Sequence, residues 1–331
     1  MNVDGLNKTA LEIVSTGKGI LAADESTPTI KKRFDTIGVE STETNRKNYR
    51  NMLFTTDGVS KYISGVILFD ETIRQQSPDG TAMVDVLAKA GIIPGIKVDK
   101  GAKSIANAAS ETVTEGLDGL RERCQEYVSL GARFAKWRAV IKIGPDIPSE
   151  HCIALNAHAL ARYASLCQES GLVPIVEPEV LMDGSHDIDQ CEIVTENTLK
   201  ALYHELHKQG VVLEGTLLKP NMVISGSECT KQAGIDEVAE RTVTCLKRSV
   251  PAAVPGIVFL SGGQSDETAT LHLNSMNANH MDLPWKLSFS YGRALQAAPL
   301  KAWGGSDIER GKQAFFTRAK ANGEACLGIY K

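Results

Sequence analysis

The stretch ARFAKWRAVIKIGPDIPSEHCIALNAHALARYASLCQESGLVPIVEPEV (residues 132–180) carries the pattern that decides the architecture. It begins and ends in apolar runs, 132–142 and 172–180, and each run carries two like charges spaced two residues apart. Residues two apart on a strand share a face. Lys136 and Arg138 therefore point one way, as do Glu177 and Glu179, while Trp137 and Pro178 take the opposite face. Between the runs Ile153, Ala157, Leu160, Ala164 and Cys167 fall three and four apart, the period of a helix. Ser149 suits its N-cap and Gly171 its stop. Strand, helix, strand is a parallel crossover unit.

The unit recurs on both sides. Upstream lie GILAADE (19–25), ISGVILFDE (63–71) and GIKVDK (95–100); downstream lie LEGTLLKPNM (213–222), GIVFLSGG (256–263) and LSFSYGRA (287–294). With the first two runs this makes eight, most of them about 40 residues apart, room for one strand, one helix and two loops. Leu117, Leu120, Cys124 and Tyr127 form another helical stripe closed by Gly131, and Leu199, Leu202, Tyr203 and Leu206 a third closed by Gly210. Eight such units imply an α/β protein, a (β/α)8 TIM barrel with additional helices. An open doubly wound sheet is the competing architecture, but no GxGxxG follows the first run. No Pro-, Ser- or charge-rich linker divides the chain, so residues 1–331 are expected to form a single domain.

Composition narrows the function. A formal net charge of −4 disfavours general nucleic-acid affinity. No apolar run approaches the ~18 residues that span a bilayer, and the N-terminus has no signal-peptide pattern. The seven cysteines (124, 152, 167, 191, 229, 245 and 326) are odd in number and include no CxxC, which fits buried reduced thiols better than disulfides or metal. The expectation is a soluble cytoplasmic protein.

In such barrels the active site lies at the C-terminal ends of the strands. The runs end in Asp24, Asp70 with Glu71, Lys97 with Asp99, Lys136 with Arg138, Glu177 with Glu179, Lys219, Ser261 with Gly262, and Ser290 with Arg293. A cationic rim on a net-acidic chain points to an anionic, phosphorylated substrate, and the carboxylates supply acid–base groups. Ordinary ion pairs closing the barrel are the structural alternative. Lys219 ends LEGTLLK, beside apolar wall residues and near a second cation, Lys136. Both circumstances favour the neutral amine and hence a Schiff-base nucleophile; a lysine paired to Glu177 or Glu179 for structure alone is the alternative. SGGQS (261–265) offers backbone N–H groups to a phosphate, or is a plain turn, and Arg293 at the next strand end favours the phosphate. In DESTPTIKKR (24–33), Thr27 before Pro28 is expected to cap a helix whose N-terminus suits a second anion, with Ser26, Thr29, Lys32 and Arg33 in reach. None of the histidines closes an apolar run. His204 and His207 flank a helical stripe as a solvated edge, and no metal cofactor is inferred.

The segments GKGILAADES, GVILFDET, FAKWRAVIKIG, PIVEPE, LEGTLLKPNMV, FLSGGQS and FSYGRALQAAPLKAWGG resemble, in order, those of class I fructose-1,6-bisphosphate aldolases, over about residues 15–328. The resemblance implies reversible cleavage of fructose 1,6-bisphosphate to dihydroxyacetone phosphate and glyceraldehyde 3-phosphate, in glycolysis and gluconeogenesis, without cofactor or metal, by a homotetramer. It implies that Lys219 is the Schiff-base lysine and Glu177 the proton shuttle. Asp24 and Lys136 would position the C4 hydroxyl, and Glu179 would tune Lys219. Ser261, Gly262 and Arg293, with Ser290 and Gly292, would hold the ketone-half phosphate. Ser26, Lys97 and Thr29 would hold the far phosphate, with Arg138, Lys32 and Arg33 lining the cleft. Two departures stand out. Pro28-Thr29 replaces a common Gly-Ser. The sequence ends CLGIYK, and Tyr330 comes too early to be the C-terminal tyrosine that helps protonate the enamine in many members, leaving that step to Glu177 or water. A Schiff-base aldolase of a single-phosphate ketose, or a non-catalytic binding role on the same fold, are the other readings.

Overall fold

A computed structural model of the chain describes residues 2–108 and 110–331. The eight expected runs all form strands: β1 (Gly19–Ala23), β2 (Ile63–Leu68), β3 (Ile93–Lys97), β6 (Phe134–Ile141), β7 (Val173–Val180), β8 (Leu217–Leu218), β9 (Gly256–Phe259) and β10 (Lys286–Tyr291). They pair in parallel and close in the order β1-β10-β9-β8-β7-β6-β3-β2. Helices connect them, and the fold is the (β/α)8 barrel. A small antiparallel pair, β4 (Ala102–Ser104) and β5 (Thr112–Thr114), is added between β3 and β6. At three residues each, these strands are too short to leave a period in the sequence.

The caps fall as expected at most helix ends. Ser149 Oγ accepts from Cys152 N, and Gly131, Gly171 and Gly210 take positive φ just past their helices. The helix after β1 differs. It spans Thr27–Asp35, and its N-cap is Ser26 rather than Thr27. Proline is tolerated throughout a first turn because those N–H groups lack intrahelical acceptors. Pro28 therefore marks the turn without fixing the cap to one residue. The Ser26 hydroxyl makes no capping bond and pairs instead with Thr29 Oγ1 at 3.0 Å. β8 is only two residues long because Pro220 cannot donate to the ladder, although Lys219 N still bonds Val176 O at 2.8 Å.

On four strands the lumen face runs from apolar at the bottom to charged at the top. Ile20 and Ala22 precede Asp24; Phe134 precedes Lys136; Val173 and Ile175 precede Glu177; Leu217 precedes Lys219. The apolar halves form one buried cluster with Leu6, Ala10, Ile13 and Val14 of the N-terminal segment, so the helix Val3–Ile13 closes the barrel floor. Phe134 fills the lumen so closely that a Cβ at Gly95 would lie 2.2 Å from its ring. The opposite strand faces, with Leu21, Ala135, Trp137 and Phe259, pack against the helices in a larger core. All seven cysteines are free, and five are buried. No helix of the described residues is long and apolar enough to cross a membrane.

Candidate active site

Above the apolar plug, the strand ends surround a cavity of about 230 Å³. It is lined by Asp24, Ser26, Thr29, Arg33, Lys97, Lys136, Arg138, Glu177, Glu179, Lys219, Ser261, Gly262, Ser290, Gly292 and Arg293. Of the site residues expected from sequence only Lys32 is missing. Thr29 and Arg33, four apart, share the helix face toward the cleft, while Lys32 turns outward to a second cavity of about 600 Å³ that adjoins the first. The smaller cavity is the chemical one, because it alone holds the lysines and carboxylates of the floor.

That floor is a line of alternating charge. Lys136 Nζ lies 2.6 Å from Asp24 Oδ2 and 3.3 Å from Glu177 Oε2, and Lys219 Nζ lies 3.0 Å from Glu177 Oε1. Lys136, Glu177 and Lys219 are each at most 4% exposed. Burial alone would raise the Asp24 carboxyl, but Lys136, then Lys219 and Lys97, hold it well below the usual carboxylate range. Burial alone would lower the Lys136 ammonium; Asp24, Glu177 and Asp99 push it up instead. Lys136 is thus a fixed cation and Asp24 a fixed anion. The Lys136–Glu177 contact lacks hydrogen-bond geometry, leaving Glu177 Oε2 buried without a hydrogen-bond partner. Ser290 Oγ is buried and unpartnered as well.

Glu179 departs from the expected arrangement. It pairs with Arg138 Nε, and the carboxylate against Lys219 is Glu177. Glu177 and Glu179 do share a face, but two residues along the strand carry Glu179 above the lysine, where the long Arg138 side chain, registered beside Glu177, reaches up to it. Lys97 is held by Asp99, with Nζ 2.7 Å from Oδ1 and 2.9 Å from the Asp99 carbonyl. Glu25 lines the cleft although nothing in the sequence marked it. Strand alternation would have turned it away from Asp24, but β1 ends at Ala23 and the alternation ends with it. His204 and His207 are exposed at the edge of their helix. Among the described residues no three His, Cys, Asp or Glu side chains converge as metal ligands would.

Residues 5–331 match the family model described as fructose-bisphosphate aldolase class-I. The chain belongs to the class-I fructose-bisphosphate aldolases. It is 60% identical, over the whole of both chains, to a probable fructose-bisphosphate aldolase class 1 of Xanthomonas campestris pv. campestris. To the cytosolic fructose-bisphosphate aldolase 6 of Arabidopsis thaliana it is 58% identical, over 99% of this chain and 92% of that one. The solved aldolase of Plasmodium falciparum, crystallised with TRAP and a small-molecule inhibitor, superposes with a TM-score of 0.98 at 52% identity, covering 99% of this chain and 96% of that one. Class-I aldolases work through a lysine Schiff base, and the buried Lys219–Glu177 pair at a strand end is the arrangement such chemistry needs.

Proposed function

We propose that Lys219 captures the C2 ketone of fructose 1,6-bisphosphate and that Asp24, Lys136 and Glu177 move and hold the protons of the cleavage. The reaction is reversible aldol cleavage to dihydroxyacetone phosphate and glyceraldehyde 3-phosphate. The observation that carries the residue assignment is the 3.0 Å contact between Lys219 Nζ and Glu177 Oε1 inside a cleft walled by cations.

The amine must shed a proton before attack, and Glu177 Oε1 is placed to take it. The same carboxylate can return that proton to the departing C2 hydroxyl, which leaves as water and yields the iminium. Breaking the C3–C4 bond sends its electron pair into the iminium, giving an enamine, as the C4 hydroxyl loses its proton and becomes the aldehyde. A carboxyl held as far below its usual range as Asp24 is a weak base. Its role is to fix Lys136, whose ammonium orients the C4 oxygen. Glu177 Oε2, free of hydrogen bonds, is the better proton acceptor. Tyr330 does not line the cleft, and its amide donates to Asn274 Oδ1. Within the cleft, Glu177 or water can give the enamine its proton.

Ser261, Gly262, Ser290, Gly292 and Arg293 would hold the ketone-half phosphate. Gly262 and Gly263 have positive φ, a backbone conformation in which successive N–H groups can converge on an anion. Ser26, Thr29, Arg33 and Lys97 would hold the far phosphate, with Arg138 between the two ends. Glu179 acts by fixing Arg138. A homotetramer in the cytoplasm, each chain folded as a single domain, completes the reading.

Borohydride added with dihydroxyacetone phosphate should fix one triose per chain on the peptide that contains Lys219. Lys219→Arg should abolish cleavage without unfolding the barrel, since a guanidinium stays protonated and forms no imine. A reduced adduct on another residue, or full turnover by the arginine variant, would refute the assignment.

A further inference from the structure

Behind the far-phosphate end of the cleft lies a buried polar network that the proton transfers do not use. Gln296 stands one turn after Arg293 in the helix Arg293–Trp303 and is 1% exposed. Its Nε2 donates to Ala22 O and to Glu25 Oε1, both at 2.7 Å. A carbonyl and a carboxylate can only accept, so the amide has one permitted orientation, with its nitrogen toward β1. Glu25 Oε1 also accepts from Arg33 Nη1 at 2.5 Å. The Glu25 carbonyl accepts from the buried Arg50 at 2.8 Å. Glu25 is therefore fixed through both backbone and side chain, and it fixes Arg33 in turn.

We infer that Gln296 is a positioning residue which, acting through Glu25, aims Arg33 at the far phosphate and so sets the preference for a bisphosphate over a monophosphate ketose. The inference rests on the reading that Ser26, Thr29 and Arg33 receive that phosphate. An arginine has five donors in a planar fork. Glu25 occupies Nη1, and the remaining donors can meet a phosphate at the same time. An arginine held in advance loses less conformational freedom on binding than a mobile one, and the gain shows as affinity for the group it meets. Fructose 1-phosphate has no far phosphate for Arg33 to meet, so its binding draws on Arg33 only beside Gly292, where Nη2 would lie 3.6 Å from an added Cβ.

The test compares kcat/KM for fructose 1,6-bisphosphate with kcat/KM for fructose 1-phosphate in four full-length variants. Gln296→Met keeps the volume and removes both hydrogen bonds. The ratio of the two constants should fall about tenfold through the KM of the bisphosphate, with fructose 1-phosphate changing less than about twofold. Glu25→Ala should lower the ratio similarly. Glu25→Gln, which can still place a carbonyl oxygen between Gln296 and Arg33, should retain most of it. Arg33→Ala is the control for the underlying reading. If Arg33→Ala lowers the ratio but Gln296→Met depresses both substrates in parallel, Gln296 only supports the barrel and the inference fails. If Arg33→Ala leaves the ratio unchanged, the far-phosphate assignment itself fails. Should Gln296→Met not fold, the contrast between Glu25→Ala and Glu25→Gln decides, and equal ratios in those two variants would overturn the proposal.

Discussion

Asp24 keeps its charge in a buried site because Lys136 lies 2.6 Å away. Its folded carboxyl titrates well below the ordinary 3.8, so in falling pH the unfolded chain takes up the proton first. The stability it contributes is complete above about pH 4 and is lost as pH drops through the folded value. Asp24→Asn should therefore lower unfolding free energy at pH 7 by about 3 kcal/mol, since it leaves Lys136 with half its counter-charge. The gap between wild type and variant should begin to narrow below about pH 4 and close only as pH falls through the folded carboxyl's own value. Urea unfolding at pH 7 and in acid checks both statements, and an equal gap at both would remove the buried-pair argument. At this scale Asp24, Lys136, Glu177 and Lys219 are legible through position alone, since each ends the lumen face of a strand. Glu25 and Gln296 are not. One lies beyond the last residue of its strand, where alternation no longer holds, and the other belongs to a helix whose partner lies 271 residues away.

The loop 261–265 and the helix after it, Asp266–Asn279, form one braced element. Gln264 Nε2 donates to Ser261 O at 3.1 Å, so its carbonyl must face His272, whose Nδ1 lies 2.6 Å away. Nδ1 then has to carry a proton and serves as a donor to the loop. Burial pushes this histidine down to about 4, against 6.5 in the unfolded chain. Between those values the unfolded state binds the extra proton, so stability rises with pH across the window and is complete above it. The effect is on the order of 3 kcal/mol at most. His272→Asn, which keeps a donor but cannot titrate, should show a smaller loss of stability between pH 7 and pH 5 than the wild type. Chemical denaturation at the two pH values measures it, and parallel losses would show that His272 does not contribute. Strands, helices and their glycine stops were legible because each has a period or a breaker. The β4–β5 pair and the one-residue shift of the cap to Ser26 were not, since both depend on local backbone geometry that several residue types can satisfy.

The whole molecule separates its duties along the barrel axis, with stability at the floor and chemistry at the rim. The helix Val3–Ile13 seals the floor with Leu6, Ala10 and Ile13. Leu6→Asp would bury a carboxylate against the lumen and should cost about 3 kcal/mol or more, while turnover per folded molecule stays near wild type because the cleft is at the other end of the strands. Thermal unfolding and active-site titration by borohydride trapping separate the two effects. A proportional fall in turnover per trapped site would show that floor and rim are coupled.

The sequence by itself determined the repeat of eight strand–helix units, the closed parallel sheet and the residues at each strand end, because side-chain alternation and helical period are local properties of the chain. Only the tertiary structure decided which carboxylate meets Lys219, that Glu179 belongs to Arg138, and that the first helix plugs the barrel floor. Those outcomes depend on the stagger between neighbouring strands and on contacts between distant segments, and no local period records either.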